Sequence, residues 1–158
     1  TFPVVGIAAT DGFCSVYISK YLMNREVGFG RRLLQVFEDE GISFEHTPSG
    51  IDNMSVIVRE STFNKAAEER VLRRVRTELA VDEVTVERGL ALVMVVGEGM
   101  NHTIGLAGQA CTAFAEAGVN LEMINQGSSE VSMMFGIKAS DIPGSVRALY
   151  NQFFGSST

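Results

Sequence analysis

The chain repeats its own pattern at an offset of 77 residues, with no gap. Residues 27–45 (VGFGRRLLQVFEDEGISFE) correspond in this way to residues 104–122 (IGLAGQACTAFAEAGVNLE). A gapless internal repeat indicates one structural unit that occurs twice, so it has to be recognised before a fold is predicted. The best matched positions are Gly28 with Gly105, Phe37 with Phe114, Gly41 with Gly118 and Glu45 with Glu122, and the match extends outward to Gly12 with Gly89.

Hydrophobic spacing predicts eight strands and four helices. In the first helix, apolar residues recur at helical spacing from Phe29, and Gly41 is suited to end it. Asp11-Gly12 is a turn signal between the first two strands, and Ser140-Asp141 is a candidate cap for the last helix. The predicted strands are 2–9, 13–21, 42–47, 54–59, 81–87, 90–96, 119–125 and 130–138, and the predicted helices are 29–40, 63–79, 104–117 and 141–154.

The order of these elements indicates how the two copies are joined. One unit reads strand, helix, strand, strand, helix, strand, but the second copy ends on its second helix. The repeat register equates the surplus strand 2–9 with 81–87. We therefore predict that the N-terminal strand completes the second unit. The first unit, 12–88, would then be inserted into a second unit made of 1–11 and 89–155.

Composition excludes several classes of protein. The net charge of -6 argues against nucleic-acid binding, which needs a basic face. The longest apolar run, LALVMVV at 90–96, is too short to cross a membrane. Cys14 and Cys111 do not occupy equivalent positions in the repeat, and two cysteines make no disulfide framework. A reducing, cytoplasmic setting is the simplest expectation.

No catalytic or metal-binding constellation stands out. The two histidines, His46 and His102, belong to no nucleophile motif, and no Cys/His spacing suits zinc. The chain has neither a phosphate-binding Walker loop nor a dinucleotide-binding glycine motif. We therefore predict no catalytic residue, no metal ligand and no cofactor in this chain.

The loops that precede the first helix of each copy carry a candidate binding site. Residues 22–30 and 97–105 place glycines at a helix start, where free N–H groups can hold a carboxylate. Each helix is followed by a strand glutamate, Glu45 or Glu122, that could take an ammonium group. Together these features describe a site for an amino-acid zwitterion. The alternative is that the glycines only form a tight turn and the glutamates face solvent.

The whole chain resembles the tandem ACT regulatory region of aspartate kinases, above all in the stretch AEAGVNLEMINQGSSEVSM at 115–133. The resemblance implies an α+β fold of two ferredoxin-like βαββαβ units with antiparallel sheets, helices on one face, and the first unit inserted into the second. It also implies a parent enzyme that phosphorylates L-aspartate with ATP. The kinase domain, with its ATP and Mg, would lie outside this chain, so the chain itself would not catalyse a reaction.

The resemblance further implies an effector site in the first unit at a homodimer interface. The effector would be an end-product amino acid, with lysine favoured and threonine as the alternative, because the turn HTPSGIDN at 46–53 departs from the lysine-sensitive pattern. By position, the contacts fall on Met23, Gly28, Phe29, Gly30, Phe44 and Glu45. In the second unit, Asn125, Gln126 and Ser129 match a turn that makes secondary effector or interdomain contacts.

Three other functions remain open from the sequence. A free-standing pair of ACT units could sense an amino acid for some other partner. An acylphosphatase-like enzyme could use Arg25, Arg31 and Asn53, although it would not explain the second copy. An RNA-binding sheet would need exposed aromatic residues and a basic surface. On the favoured hypothesis, the partners are a free amino acid, a second copy of the chain and the kinase domain of the same polypeptide.

Overall fold

The computed structural model describes residues 4–97, 105–126 and 132–155. The chain divides into two compact units. One, which we call the central unit, is Gly12–Arg88. The other, the terminal unit, is formed by Thr1–Asp11 with Gly89–Thr158.

Six strands and four helices make up these described residues. Short 3-10 turns precede the first, second and fourth of these helices, at Met23–Arg25, Glu60–Thr62 and Ala139–Asp141. The strands are β1 (Val4–Ser19), β2 (Phe44–His46), β3 (Asn53–Arg59), β4 (Glu83–Gly97), β5 (Met123–Asn125) and β6 (Ser132–Lys138), and the helices are α1 (Phe29–Asp39), α2 (Lys65–Leu79), α3 (Leu106–Glu116) and α4 (Ile142–Phe154).

Two of the predicted breaks between strands are wrong, and the strands predicted at 42–47 and 119–125 are shorter, at Phe44–His46 and Met123–Asn125. The sequence predicts a turn at Asp11-Gly12, but β1 runs through it without interruption. In the same way, β4 joins the predicted strands 81–87 and 90–96 across Gly89. Gly12 and Gly89 have φ values of 87° and 71°. Such a glycine can interrupt the regular strand conformation locally while the pairing on either side continues, so a turn-like dipeptide did not mean a chain reversal.

In the central unit the strand order is β2-β3-β1-β4. The antiparallel pairing of β1 with β3 runs from Phe13 opposite Arg59 to Ser19 opposite Asn53. Alternate residues of the sheet share one core with both helices, as the period of a strand requires. Members of this core include Cys14, Val16 and Ile18 of β1, Val56 and Val58 of β3, Leu33, Val36 and Phe37 of α1, and Val71 and Val75 of α2.

The terminal unit has the order β1-β4-β6-β5. Its β4 and β6 strands pair from Leu90 opposite Lys138 to Val96 opposite Ser132. The core contains Ala91, Val93 and Val95 with apolar residues of both helices, and the rings of Phe114 and Phe135 lie 4.9 Å apart. The predicted α+β class, with helices packed on an antiparallel sheet in two similar units, is confirmed.

Helix ends reproduce the sequence repeat in three dimensions. The glycines that precede α1 and α3, Gly28 and Gly105, have φ values of 82° and 83°. Gly41 and Gly118, which follow the same helices, have φ values of 72° and 71°. Only glycine adopts this left-handed conformation without strain, which explains why the repeat places glycine at all four positions.

The predicted cap of α4 is wrong in its chemistry. Asp141 precedes the helix but makes no side-chain capping hydrogen bond. Its φ and ψ of -91° and 1° differ from the extended conformation that a capping side chain needs, because a 3-10 turn feeds directly into the helix. Asn64 shows the expected geometry at α2, where its side chain accepts a hydrogen bond from the Ala67 N–H at 2.8 Å.

Candidate functional site

The loop Lys20–Gly28 connects β1 to α1 at one end of the central sheet. Two neighbouring turns hold it in place, one before β3 and one before β4. A loop fixed in this way can present the start of α1 in one orientation. The hydrogen bonds are Lys20 N–H to the Asp52 carbonyl at 2.9 Å, Asn24 N–H to the Ile51 carbonyl at 3.1 Å and Tyr21 N–H to Asp82 Oδ2 at 2.7 Å.

The start of α1 has the geometry of an anion site. Gly28 precedes the helix without a side-chain cap. Helix geometry leaves the N–H groups of Gly30 and Arg31 without an intrahelical acceptor. A Cβ atom built on Gly28 or Gly30 would meet nothing within 4 Å, so the backbone can be approached closely. A carboxylate there would also gain from the positive end of the helix dipole.

The charges beside this helix start favour an anion. Lys20 Nζ donates to both carboxylate oxygens of Glu26 at 3.0 Å, and Arg32 Nη2 lies 3.3 Å from Glu26 Oε1. The hydrogen bond from Lys20 is the main reason that the pKa of Glu26 is lowered from its usual 4.5. Two cations therefore share one carboxylate at the end of the loop, and these three side chains together carry one net positive charge.

Two of the predicted contacts are core side chains. Met23 is 7% exposed and Phe29 is 3% exposed, and both belong to the core cluster of the central unit. Lys20 Nζ lies 5.5 Å from the centre of the Phe29 ring. The N–H groups of both residues also serve the loop itself, since Met23 donates to the Lys20 carbonyl at 3.1 Å and Phe29 to the Glu26 carbonyl at 3.2 Å. In this conformation Met23 and Phe29 support the loop and do not present side chains to a bound molecule.

The other two predicted contacts lie on β2. Phe44 is 45% exposed and lines an open pocket of about 590 Å³. Glu45 is not a free carboxylate, since its Oε1 atom lies 3.1 Å from Nε of Arg59 on β3. The pocket is lined by Leu34, Glu38, Gly41, Ile42, Ser43 and Phe44.

Arg59 was missed by the sequence analysis. Its guanidinium lies over the Phe13 ring, 5.1 Å from the ring centre, in addition to pairing with Glu45. The repeat contained a signal that could have drawn attention to it, because the 77-residue offset places Gly136 at the corresponding position of the terminal unit. The two equivalent glutamates therefore have different environments: Glu122 accepts a hydrogen bond from the Asn120 side-chain amide at 3.0 Å.

The strand register keeps the helix start and Glu45 apart within one chain. The loop before α1 leaves the sheet where Ser19 pairs with Asn53. Phe44 pairs with Val58 and His46 with Ile57. Four to five residues of β3 separate these two levels, which is about 15 Å along a strand. Gly28 and Gly30 thus lie at one end of the central unit, and Phe44 and Glu45 lie well down the sheet from it.

The predicted secondary site is described only in part. Asn125 ends β5, where it pairs with Met134, and Gln126 follows it, with both residues exposed. Ser129 lies outside the described residues, as does most of the loop before α3. Where the structure describes the chain, no group of three or more His, Cys, Asp or Glu residues is placed to hold a metal ion. No helix in those same ranges is long and apolar enough to cross a membrane.

Comparison with known proteins identifies relatives of this chain. The family model of the ACT domain matches residues 93–153. Aspartokinase 3 of Bacillus subtilis is 58% identical over 152 residues, which is 96% of this chain. The chain spans 34% of the length of that relative, so the rest of the relative has no counterpart in these 158 residues.

Solved structures extend the comparison. The regulatory subunit of aspartate kinase from Thermus thermophilus, in a ligand-free form, superposes with a TM-score of 0.81 at 25% identity, and the match covers 96% of this chain and 99% of that one. Aspartokinase III of E. coli in complex with lysine and aspartate shares the fold, with a TM-score of 0.77 at 19% identity, over 96% of this chain and 33% of that one. The repeat, the two βαββαβ units and these relatives agree, and the chain belongs to the ACT-domain regulatory regions of the aspartokinase family.

Proposed function

We propose that this chain binds an end-product amino acid and thereby feedback-inhibits the ATP-dependent phosphorylation of L-aspartate by an aspartate kinase. The observation that carries the proposal is the start of α1, where uncapped N–H groups lie beside Lys20 and Arg32. This site suits the carboxylate of an amino acid. ATP and Mg belong to the kinase domain of the same polypeptide, and the regulatory chain needs no cofactor of its own.

The effector lies at a seam between two copies of the central unit. One chain holds the carboxylate-binding helix start and the amine-binding Glu45 about 15 Å apart along the sheet, too far for one small zwitterion. Strand β2 is an edge strand in the order β2-β3-β1-β4. We place the loop end of one copy beside Phe44 and Glu45 of the other, in a dimer whose paired β2 edges are also protected.

Lysine is the favoured effector and threonine the alternative. A second ammonium group gives lysine an additional charge to pair with a carboxylate such as Glu45, and the related E. coli aspartokinase III has been crystallised with lysine and aspartate. Inhibition requires that the effector bind more tightly to the inactive arrangement of the enzyme than to the active one. A cytoplasmic location is part of the same proposal.

The free-standing sensor is not favoured over an aspartate kinase. The 58% identity to an aspartokinase extends over 96% of this chain, so the similarity to that enzyme covers nearly every residue. The secondary residues Asn125 and Gln126 would then serve interdomain or further effector contacts in the same enzyme.

A thermal-shift panel of the amino acids on this chain tests the proposal. A ligand that binds the folded state raises the melting temperature by mass action. We expect a selective rise with L-lysine or L-threonine. Cadaverine, which is lysine without its carboxylate, is the matched control and should leave the melting temperature unchanged because it cannot occupy the helix start. Equal melting temperatures with every amino acid would contradict the proposal.

A further inference from the structure

The partner of Glu45 gives the proposed site a property that the sequence did not predict. Glu45 Oε1 and Arg59 Nε lie 3.1 Å apart on neighbouring strands. An amine that binds Glu45 must therefore compete with a guanidinium that is already in place. We propose that Arg59 sets the affinity of the site, because it occupies Glu45 in the unliganded chain and is displaced by the amine of the effector. This inference rests on the proposed function.

The Glu45–Arg59 pair is weak enough to be exchanged. The side chains of Arg59 and Glu45 are 52% and 36% exposed, so water screens the attraction between them. Ion pairs with this degree of exposure change an equilibrium by a factor of about five at most. An ammonium group that reaches Glu45 can replace Arg59 without leaving a charge buried and unpaired.

Arg59 also contacts the Phe13 ring, and this contact does not depend on the ion pair with Glu45. Its guanidinium lies 5.1 Å from the centre of the Phe13 ring, directly across the strand pair. Phe13 is 3% exposed and therefore fixed. A cation over an aromatic face retains part of its stabilisation when a partner carboxylate leaves. The released arginine would thus remain on Phe13 beside the site.

Among its described residues, the terminal unit has no arginine that could compete in this way for its strand glutamate, Glu122. The position equivalent to Arg59 is Gly136, and a Cβ atom built there would lie 3.0 Å from Cβ of Met123. A large side chain could not enter without movement of β5. The competition for the strand glutamate is therefore confined to the central unit, where we place the effector.

Calorimetric titration of L-lysine into the wild-type chain and its Arg59→Gln variant tests the inference. We expect the variant to bind lysine more tightly, by up to about fivefold. Wild-type binding replaces one ion pair with another and should depend little on salt. Binding to Arg59→Gln forms a pair without breaking one, so added salt should weaken it. Arg73→Gln on the exposed face of α2 removes the same charge elsewhere and should reproduce neither change.

The outcomes separate the inference from the function on which it rests. Binding to Arg59→Gln that equals binding to Arg73→Gln in affinity and salt dependence would overturn the role of Arg59 and leave the amino-acid site standing. Absence of lysine and threonine binding in the wild type, Arg59→Gln and Glu45→Gln alike would overturn the site itself. Melting curves of the unliganded variants confirm that each is folded.

Discussion

The Arg88 guanidinium donates a hydrogen bond of 2.7 Å from Nη2 to the carbonyl oxygen of Phe63. The same group lies 5.5 Å from the centre of the Phe63 ring and 3.4 Å from Oε1 of Glu68. Arg88 is the last residue of the central unit, and Phe63 leads into α2. One side chain on β4 thus fixes the entry to the second helix of the unit.

Replacing Arg88 with Met should destabilise the chain. The substitution keeps an apolar stem but removes the charged donor from the Phe63 carbonyl, a loss of roughly 1–2 kcal/mol in the free energy of unfolding. Urea denaturation measures this difference directly. Arg73→Met, on the exposed face of α2, is the control and should change stability much less. Equal denaturation midpoints for the two variants would show that Arg88 has no special role.

Cys14 should make stability depend on pH in the alkaline range. Burial raises the pKa of its thiol from 9.0 to about 11. A folded pKa above the unfolded one means that the folded chain retains the proton longer, so this contribution is complete below pH 9 and is lost between about pH 9 and pH 11. Urea denaturation across this window should show a steeper loss of stability for the wild type than for Cys14→Val.

Cys111 provides the comparison for that experiment. It is a half-buried cysteine on α3, outside the core position that Cys14 occupies in β1. Cys111→Val should retain the steeper alkaline loss seen in the wild type. A Cys14→Val chain with the wild-type slope would show that another group causes the pH dependence.

Ser145 on α4 is completely buried, and its hydroxyl has no hydrogen-bond partner within the described ranges. A buried polar group without a partner costs free energy, so Ser145→Ala should leave stability unchanged or raise it by up to about 1 kcal/mol. Thermal unfolding monitored by circular dichroism gives the comparison. The exposed Ser43→Ala substitution serves as the reference, and a loss of more than about 1 kcal/mol in Ser145→Ala would reveal a partner for the hydroxyl.

The repeat predicted most of the fold because its glycines and apolar stripes are local signals. Gly28, Gly41, Gly105 and Gly118 all have the positive φ that their positions at helix ends suggest. The prediction of a chain reversal at Asp11-Gly12 is wrong. The dipeptide reports only a local conformation, whereas the continuity of β1 depends on partners elsewhere in the chain.

The register of the two edge strands could not be read from the repeat. In the terminal unit, Met123 pairs with Gly136. The 77-residue offset therefore predicts that His46 pairs with Arg59, but His46 pairs with Ile57. Pro48 offers a physical reason, since it has no N–H to donate to a ladder, while Asn125 at the equivalent position continues β5. The same limitation hid the Glu45–Arg59 pair, because it joins residues on different strands.

In the proposed dimer, each effector site combines the loop before α1 of one copy with β2 of the other. Two variants each damage one half: Gly30→Val places a side chain at the helix start, where a Cβ atom meets no neighbour, and Glu45→Gln removes the carboxylate. Each variant alone should bind lysine poorly. Gly144→Val, in the first turn of α4, controls for the glycine change and should bind as the wild type does.

The most direct test is a calorimetric titration of lysine into an equal mixture of Gly30→Val and Glu45→Gln chains that have been allowed to exchange subunits. A mixed dimer contains two sites, and one of them combines the intact loop of the Glu45→Gln chain with the intact β2 of the Gly30→Val chain. Half of the dimers are mixed when pairing is random, so binding should reappear at roughly a quarter of the sites. A mixture that binds no better than either variant alone would contradict the shared site, since it would show that each chain must supply both halves itself.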